Sequence, residues 1–366
     1  MNQHSKPLRV LSLDGGGMRG TYTATYLDRV ANAFATRRGV KALDIGAAFD
    51  LIVGTSTGGI IASALAIGIP LSEITDLYVK HGPKIFTRPL PTGILSTVCD
   101  IRKRPRALAE GTKILRQVLL EKKFEITLGE IYSTRNIALA IPATEMGQHR
   151  AWVFKTPHLK GTTNHRDEHY TLVDVCLATT AAPIYRSMAA VDHPDNDAGG
   201  YNVFVDGGLW ANSPVLVGLI DALDMTEPGQ EIHIFSLGTC PLPAGERIDK
   251  SAIHRGLLEW KFGGDAASLA IDAQQFAFDH MAKKLARHVD RRCTVIRFPS
   301  EKVPAAINPY LGLDDTRDEA IQALIDQART DANMANSKCA YADTDSEAAL
   351  ICALFESMPE QTKSIQ

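Results

Sequence analysis

Residues 8–20 read LRVLSLDGGGMRG, an apolar run that ends in an aspartate and three glycines. The run over 8–13 predicts a short buried strand, and the glycines at 15–17 predict a tight turn. After the turn, apolar residues recur at helical spacing over 21–34. The chain therefore opens with a strand, a glycine turn and a helix.

The same arrangement returns in residues 49–59, which read FDLIVGTSTGG. Residues 49–53 predict an apolar strand, 54–59 a second tight turn, and 60–67 an apolar helix. Two consecutive βα units indicate an α/β fold with a parallel sheet.

The rest of the chain divides into a part with strands and a part without them. Further strands are predicted at 136–142, 151–156, 203–205 and 232–237, with a helix at 172–180. Alternating strands and helices favour a sheet that is covered on both faces. Residues 88–110, rich in proline, arginine and small residues, predict a loop or cap. Beyond Cys240, helical stretches at 257–285 and 318–334 predict a catalytic core over 8–240 and a mostly helical C-terminal region over 241–366 packed on it.

Composition excludes several classes of protein. The 366 residues carry a net charge of −3 and a pI near 6.4, so nothing draws the whole chain to a nucleic acid polymer. A local basic cluster of Arg102, Lys103, Arg104 and Arg106 is either a solvated face or a surface for anions or membranes. The six cysteines are scattered without metal-ligand spacing. No secretory signal or membrane-spanning run is present, which predicts a cytoplasmic protein with at most peripheral membrane contact.

The first glycine turn has two chemical interpretations. Residues 15–20 (GGGMRG) satisfy the G-x-G-x-x-G pattern of a dinucleotide-binding oxidoreductase, but Asp14 directly before them would repel a pyrophosphate. The same geometry can instead direct several backbone N–H groups at a developing oxyanion. Glycines allow the substrate carbonyl to approach these amides closely.

The second glycine turn carries a candidate nucleophile. Gly54, Ser56 and Gly58 form G-x-S-x-G at a strand-to-helix turn, the context in which this motif marks an exposed nucleophilic serine. Its base is either a histidine in a triad or an acid acting alone. The histidines at 158, 165, 169, 193 and 233 lie in stretches that do not resemble strand-end turns. Asp206 instead follows a strand and precedes Gly207 and Gly208, so it is the favoured base, with a histidine-triad esterase as the alternative.

Together these motifs resemble the patatin-like phospholipases. That family has a D-G-G-G-x-R-G loop, a G-x-S-x-G elbow and a later D-G-G or D-G-A acid, which correspond here to residues 14–20, 54–58 and 206–208. The resemblance extends to about residue 320. It implies a three-layer α/β/α fold with a mainly parallel sheet, and acyl ester hydrolysis without a metal or other cofactor. It also implies Ser56 as nucleophile, Asp206 as base, Gly15, Gly16 and Gly17 as oxyanion donors, and Arg19 as the residue that orders their loop.

The chain is also similar to the CapV-like bacterial effectors of anti-phage signalling. This resemblance implies a cyclic dinucleotide activator such as cyclic GMP-AMP, and phospholipids of the inner membrane as substrate. The C-terminal region and the basic cluster are the candidate elements through which such an activator would switch the enzyme on. A homodimer is compatible with the sequence, which does not fix the oligomeric state.

Overall fold

The fold is described by a computed structural model over residues 6–86, 94–161, 165–194, 199–240, 248–256, 260, 264–299, 303–344 and 346–361. Within these residues the strands are β1 (Leu8–Leu13), β2 (Leu51–Gly54), β3 (Ala138–Glu145), β4 (Arg150–Lys155), β5 (Ala189–Asp192), β6 (Tyr201–Asp206), β7 (Ile232–Leu237) and β8 (Cys293–Phe298). The helices are α1 (Gly20–Arg38), α2 (Thr57–Ala66), α3 (Leu71–Ile85), α4 (Ile94–Glu121), α5 (Leu128–Arg135), α6 (Leu172–Thr179), α7 (Gly208–Ala211), α8 (Val215–Met225), α9 (Gly264–Leu285), α10 (Asp318–Ala340) and α11 (Glu347–Ser357).

All eight strands form one sheet. Its order is β5-β6-β3-β2-β1-β7-β8, and β4 pairs with β3 off this path. Five strands, β3, β2, β1, β7 and β8, run parallel, whereas β4, β5 and β6 join through antiparallel pairs. The predicted α/β class with a mainly parallel sheet is confirmed.

Each face of the sheet is covered by its own layer of helices. Leu11 and Leu13 of β1 pack into a large core with apolar residues of α1, α2 and α10. Val10, which points to the opposite face, packs into a second core with residues of α8 and with Ala282 of α9. This alternation along one strand produces three layers, helix on sheet on helix, as the resemblance implied.

Strands β2 and β6 share one edge of β3. Ala140 pairs with both Val53 of β2 and Lys155 of β4, and Ala143 pairs with both Trp152 of β4 and Asp206 of β6. Since a strand has two edges, β4 occupies one of them, and β2 and β6 meet end to end on the other. Pro142, which has no N–H to offer, lies at the gap between them. The carboxyl ends of β2 and β6 are thereby brought together.

The C-terminal region contributes to this sheet directly. β8 pairs in parallel with β7, in a register that places Arg297 opposite Ser236. The boundary expected after Cys240 therefore falls between two neighbouring strands of one sheet. Two of the expected stretches match helices α9 and α10, although residues 257–259 and 261–263 of the first lie outside the described residues.

The expectation of a loop or cap at residues 88–110 is corrected by the structure. Residues 87–93 lie outside the described part, and from Ile94 onward the chain is the 28-residue helix α4, which contains Pro105. The arginines and alanines that suggested a loop are good helix formers, and an ion pair of Arg104 with Asp100, one turn earlier, stabilises this turn. Of the described helices, none combines the length and the apolar character needed to cross a bilayer.

Candidate active site

Ser56 occupies a strained turn between β2 and α2. Its backbone has φ 54° and ψ −122°, a positive-φ conformation that residues other than glycine rarely adopt. The Ser56 N–H donates to Thr179 Oγ1 at 2.9 Å, and this hydroxyl in turn donates to the Pro142 carbonyl at 2.6 Å. Gly58 allows the turn to pack closely, because a Cβ there would lie 2.3 Å from the Leu13 carbonyl oxygen. The Ser56 side chain is thus held at the tip of a strand.

Asp206, the last residue of β6, lies beside Ser56. The Ser56 hydroxyl donates to Asp206 Oδ2 at 2.6 Å, and the Gly208 N–H donates to Asp206 Oδ1 at 2.7 Å. Burial raises the pKa of Asp206 to about 6, a rise that these two donors and the charge of Arg186 partly offset. A carboxyl with this pKa is ionised at neutral pH and is a stronger base than an ordinary aspartate.

The glycine loop after β1 lies against Ser56, since a Cβ on Gly15 would lie 3.3 Å from Ser56 Cβ. Gly16 and Gly17 donate no backbone hydrogen bond to any described residue, so both amides are free for a ligand. The Gly15 N–H, in contrast, donates to the Asn212 carbonyl at 2.9 Å. The expectation that Gly15 is a third oxyanion donor is therefore corrected, because its amide is already used to hold the loop.

Asp14, at the start of the loop, is held by the C-terminal region. Its carboxylate is fully buried and accepts hydrogen bonds from Arg297 of β8 and from Gln275 of α9. Burial raises the pKa of Asp14, and the guanidinium of Arg297 opposes this rise. No motif marked Arg297 or Gln275 in the sequence, since both lie far from the glycine loop along the chain.

Arg19 closes the glycine loop through its backbone. Its N–H donates to the Gly16 carbonyl at 3.0 Å and completes a 3₁₀ turn. The side chain is 8% exposed, and its Nε has no hydrogen-bond partner within the described structure. Desolvation lowers the pKa of this guanidinium, which interacts through charge with Asp272 and Asp14.

A mainly apolar cavity opens onto Ser56, Asp206, Gly16 and Gly17. Its apolar walls are formed by Ile60, Leu77, Ile85, Phe86, Leu115, Pro183, Ile184, Leu209, Ile271 and Leu313. The polar and charged side chains that line it include Arg19, Arg186, Tyr78, Tyr185 and Asn212. Such a cavity can accommodate a fatty acyl chain with its ester carbonyl at the serine.

The two alternative functions find no support in this geometry. No histidine of the described chain lines the cavity, and the buried His158 instead contacts Thr156 and Asp221. In the glycine loop, the N–H groups of Gly15 and Met18 are bound to protein carbonyls and are not available to a pyrophosphate. Across the described residues, no three His, Cys, Asp or Glu side chains are grouped as metal ligands.

Comparison with known proteins identifies the family. The Patatin model, described as patatin-like phospholipase, matches residues 11–219. A cGAMP-activated phospholipase of Pseudomonas aeruginosa is 35% identical over 278 residues, which are 75% of this chain and 74% of that protein. A second cGAMP-activated phospholipase, from Vibrio cholerae, is 33% identical over 63% of this chain and 64% of that protein. A cUMP-AMP-activated phospholipase of Escherichia coli is 27% identical over 63% and 64% of the two chains.

The chain belongs to the patatin-like phospholipase family, as the three ordered motifs indicated. It is a lipid acyl hydrolase. The family-model match runs from within β1 to within α8, and this range includes the glycine loop, Ser56 and Asp206. The prediction of the family is confirmed. Arg297 and Gln275, which support the loop, lie beyond the matched residues.

Proposed function

We propose that this protein cleaves fatty acyl esters of phospholipids through a dyad of Ser56 and Asp206. The observation that carries the proposal is the 2.6 Å hydrogen bond from the Ser56 hydroxyl to Asp206 Oδ2, beside free N–H groups and an apolar cavity. A serine on a strained turn with a carboxylate whose pKa is about 6 is a pair suited to nucleophilic catalysis.

The reaction proceeds in two acyl transfers. Ionised Asp206 takes the Ser56 proton as the serine oxygen attacks the ester carbonyl, and the N–H groups of Gly16 and Gly17 stabilise the oxyanion. The tetrahedral intermediate collapses when the C–O bond to the leaving alkoxide breaks, and Asp206 gives its proton to that oxygen. Asp206 then deprotonates a water molecule that attacks the acyl-serine. The fatty acid leaves, and Asp206 returns the proton to Ser56.

A cyclic dinucleotide such as cyclic GMP-AMP is the proposed activator. The support comes from the relatives described above, two of which are cGAMP-activated phospholipases and one a cUMP-AMP-activated phospholipase. The nucleotide takes no part in the acyl transfer, so it acts by changing the population of an active conformation. In this proposal, the activated enzyme degrades the phospholipids of the host's inner membrane during anti-phage defence.

The cavity mouth provides the proposed contact with that membrane. Ile184 and Leu209 line the cavity and yet are 48% and 47% exposed. Arg104 donates to the Ile184 carbonyl, so the basic cluster on α4 lies beside this rim, and Arg102, Lys103 and Arg106 are exposed. Apolar side chains flanked by basic ones suit an anionic bilayer surface.

The experiment measures fatty acid release from phosphatidylglycerol vesicles by the wild type and by Ser56→Ala, each with and without cyclic GMP-AMP or cUMP-AMP. Release by the wild type alone, and only with a nucleotide, supports both parts of the proposal. Equal release by Ser56→Ala refutes the nucleophile, and full release without nucleotide refutes the activation. An Ile220→Ala variant is the control, because Ile220 is 58% exposed on α8 and does not line the cavity.

A further inference from the structure

Arg186 is a buried cation in the wall of the cavity. It follows the loop after α6, where its N–H donates to the Ala182 carbonyl at 2.8 Å. The residue is 5% exposed and lines the same cavity as Ser56 and Asp206. Burial lowers the pKa of Arg186 to about 10, so its guanidinium remains charged at neutral pH.

Within the described part of the chain, the guanidinium of Arg186 has few hydrogen-bond partners. Its Nε has none there, and the partner of its Nη2 is Thr112 Oγ1, at 3.4 Å. Two partly buried arginines are instead paired with carboxylates, Arg135 with Asp44 and Arg297 with Asp14. Arg186 interacts with Asp206 through charge, but the described residues offer it no ion pair. A buried charge without a bonded counter-ion is costly, so Arg186, which lines the cavity, can stabilise an anion bound there.

The charge of Arg186 matches one part of the proposed substrate. The remainder of the cavity wall near the dyad is mainly apolar and suits the acyl chain. A phospholipid carries its phosphodiester a few bonds from the ester carbonyl that Ser56 attacks, and a guanidinium is well suited to two phosphate oxygens.

We propose that Arg186 binds the phosphodiester of the lipid substrate and so selects phospholipids over neutral acyl esters. This inference rests on the proposed placement of Ser56 as nucleophile. It assigns Arg186 to substrate binding, and it leaves proton transfer to Asp206 alone.

The test compares two lipids that share their acyl chains and differ in the phosphate. With the full-length, nucleotide-activated enzyme in mixed micelles, kcat/KM is measured on phosphatidylglycerol and on diacylglycerol. Arg186→Gln is expected to lower kcat/KM on phosphatidylglycerol by about tenfold, mainly through KM, and to change it by less than about twofold on diacylglycerol. Arg116→Gln is the matched control, because Arg116 is a half-exposed arginine paired with Asp174 on the surface.

A second variant guards against misfolding. Arg186→Lys keeps the charge but loses the two-point geometry, so a smaller loss confined to phosphatidylglycerol is expected. Equal losses on both lipids in the lysine variant overturn the proposal. Both pH profiles of Arg186→Gln are expected to shift to higher pH, because the charge of Arg186 lowers the pKa of Asp206, so kcat/KM is compared on the plateau above that shift. A plateau loss of equal size on both lipids in Arg186→Gln overturns the proposal.

A cyclic dinucleotide activator also carries phosphodiesters that Arg186 could bind. A separate measurement distinguishes binding of the activator from binding of the lipid. The nucleotide concentration for half-maximal activation is expected to be unchanged in both variants. A shift of that concentration with an unchanged KM for phosphatidylglycerol overturns the lipid assignment. If Ser56→Ala is inactive but the Arg186 variants lose equal activity on both lipids, this inference is refuted and the proposed dyad is retained. If Ser56→Ala is active, the dyad itself is refuted.

Discussion

Gln275 Nε2 donates to Asp14 Oδ2 at 2.6 Å, which joins helix α9 to the residue directly before Gly15, Gly16 and Gly17. Gln275 Oε1 also accepts from Asn212 Nδ2, and the carbonyl of Asn212 holds the Gly15 N–H. One buried side chain therefore contacts both supports of the loop. Since α9 lies outside the residues matched by the family model, the C-terminal region takes part in shaping the site.

Replacing Gln275 is expected to slow catalysis without abolishing it. Gln275→Met keeps the length of the side chain but removes both hydrogen bonds, so the free amides of Gly16 and Gly17 are held less firmly. We expect kcat to fall by about tenfold, corresponding to about 1.4 kcal/mol, with little change in KM. Gln322→Met, an exposed glutamine on α10, is the control and should match the wild type. An unchanged kcat in Gln275→Met would contradict a positioning role.

The pH dependence of activity should report the ionisation of Asp206. Since only the ionised carboxylate accepts the Ser56 proton, kcat/KM on a short soluble ester should rise as pH increases through about 6 and then level off. Asp206→Asn should lose at least about 10³-fold in kcat and show no such rise. If the pH profile of wild-type kcat/KM has its midpoint near 7, and this pH dependence disappears when a histidine is replaced, the base is that histidine and not Asp206.

The same pKa predicts that the Asp206 carboxylate lowers the stability of the folded protein. The folded pKa of about 6 exceeds the ordinary value of 3.8, so the folded state binds the proton more tightly than the unfolded state. Stability is therefore lost as pH rises from about 4 to about 6, by up to about 3 kcal/mol. Asp206→Asn carries no such charge, so its Tm should exceed the wild-type value at pH 7.5 and approach it at pH 4.5. If the Tm difference between the two proteins is the same at both pH values, the charge of Asp206 does not destabilise the folded state.

Gly17→Ala should inactivate the enzyme through the oxyanion loop. Gly17 has φ +55°, and a Cβ there would lie 2.2 Å from the Leu313 carbonyl oxygen, so the loop must move. We expect kcat to fall by about 10² to 10³-fold, the usual effect of losing an oxyanion donor. Gly39→Ala is the control, because Gly39 has a similar φ of +67° at the end of α1 but open space around it. If both variants lose activity equally, general backbone strain is the cause.

The candidate site can be predicted from the sequence at the positions where its proposed chemistry restricts the choice of residue. The elbow at Ser56, the glycine loop and the turn after Asp206 each need small residues at fixed spacing, so each left a readable motif. From the sequence, Asp14 is the first residue of the D-G-G-G-x-R-G motif and a charge that would repel a pyrophosphate, whereas in the structure it is also the buried anchor of the loop.

What the sequence did not predict depends on tertiary contacts. Gln275 and Arg186 have no motif, since any segment that packs nearby could supply such a side chain. Strand β8 was missed because its six residues, CTVIRF, are too short for periodicity to separate them from neighbouring helices. The prediction of a loop before residue 110 is wrong from Ile94 onward, because the helix formers around Pro105 outweigh the tendency of that proline to break a helix.

The end-to-end meeting of β2 and β6 on one edge of β3 has a consequence for the segments that connect them. Ser56 and Asp206 are 150 residues apart in the chain, yet their separation in space is set by the register of two strands on a third. A slip of β6 by one residue would turn Asp206 to the opposite face of the sheet. The connecting segments can therefore change in length or sequence without moving Ser56 away from Asp206, as long as the two strands keep their register on β3.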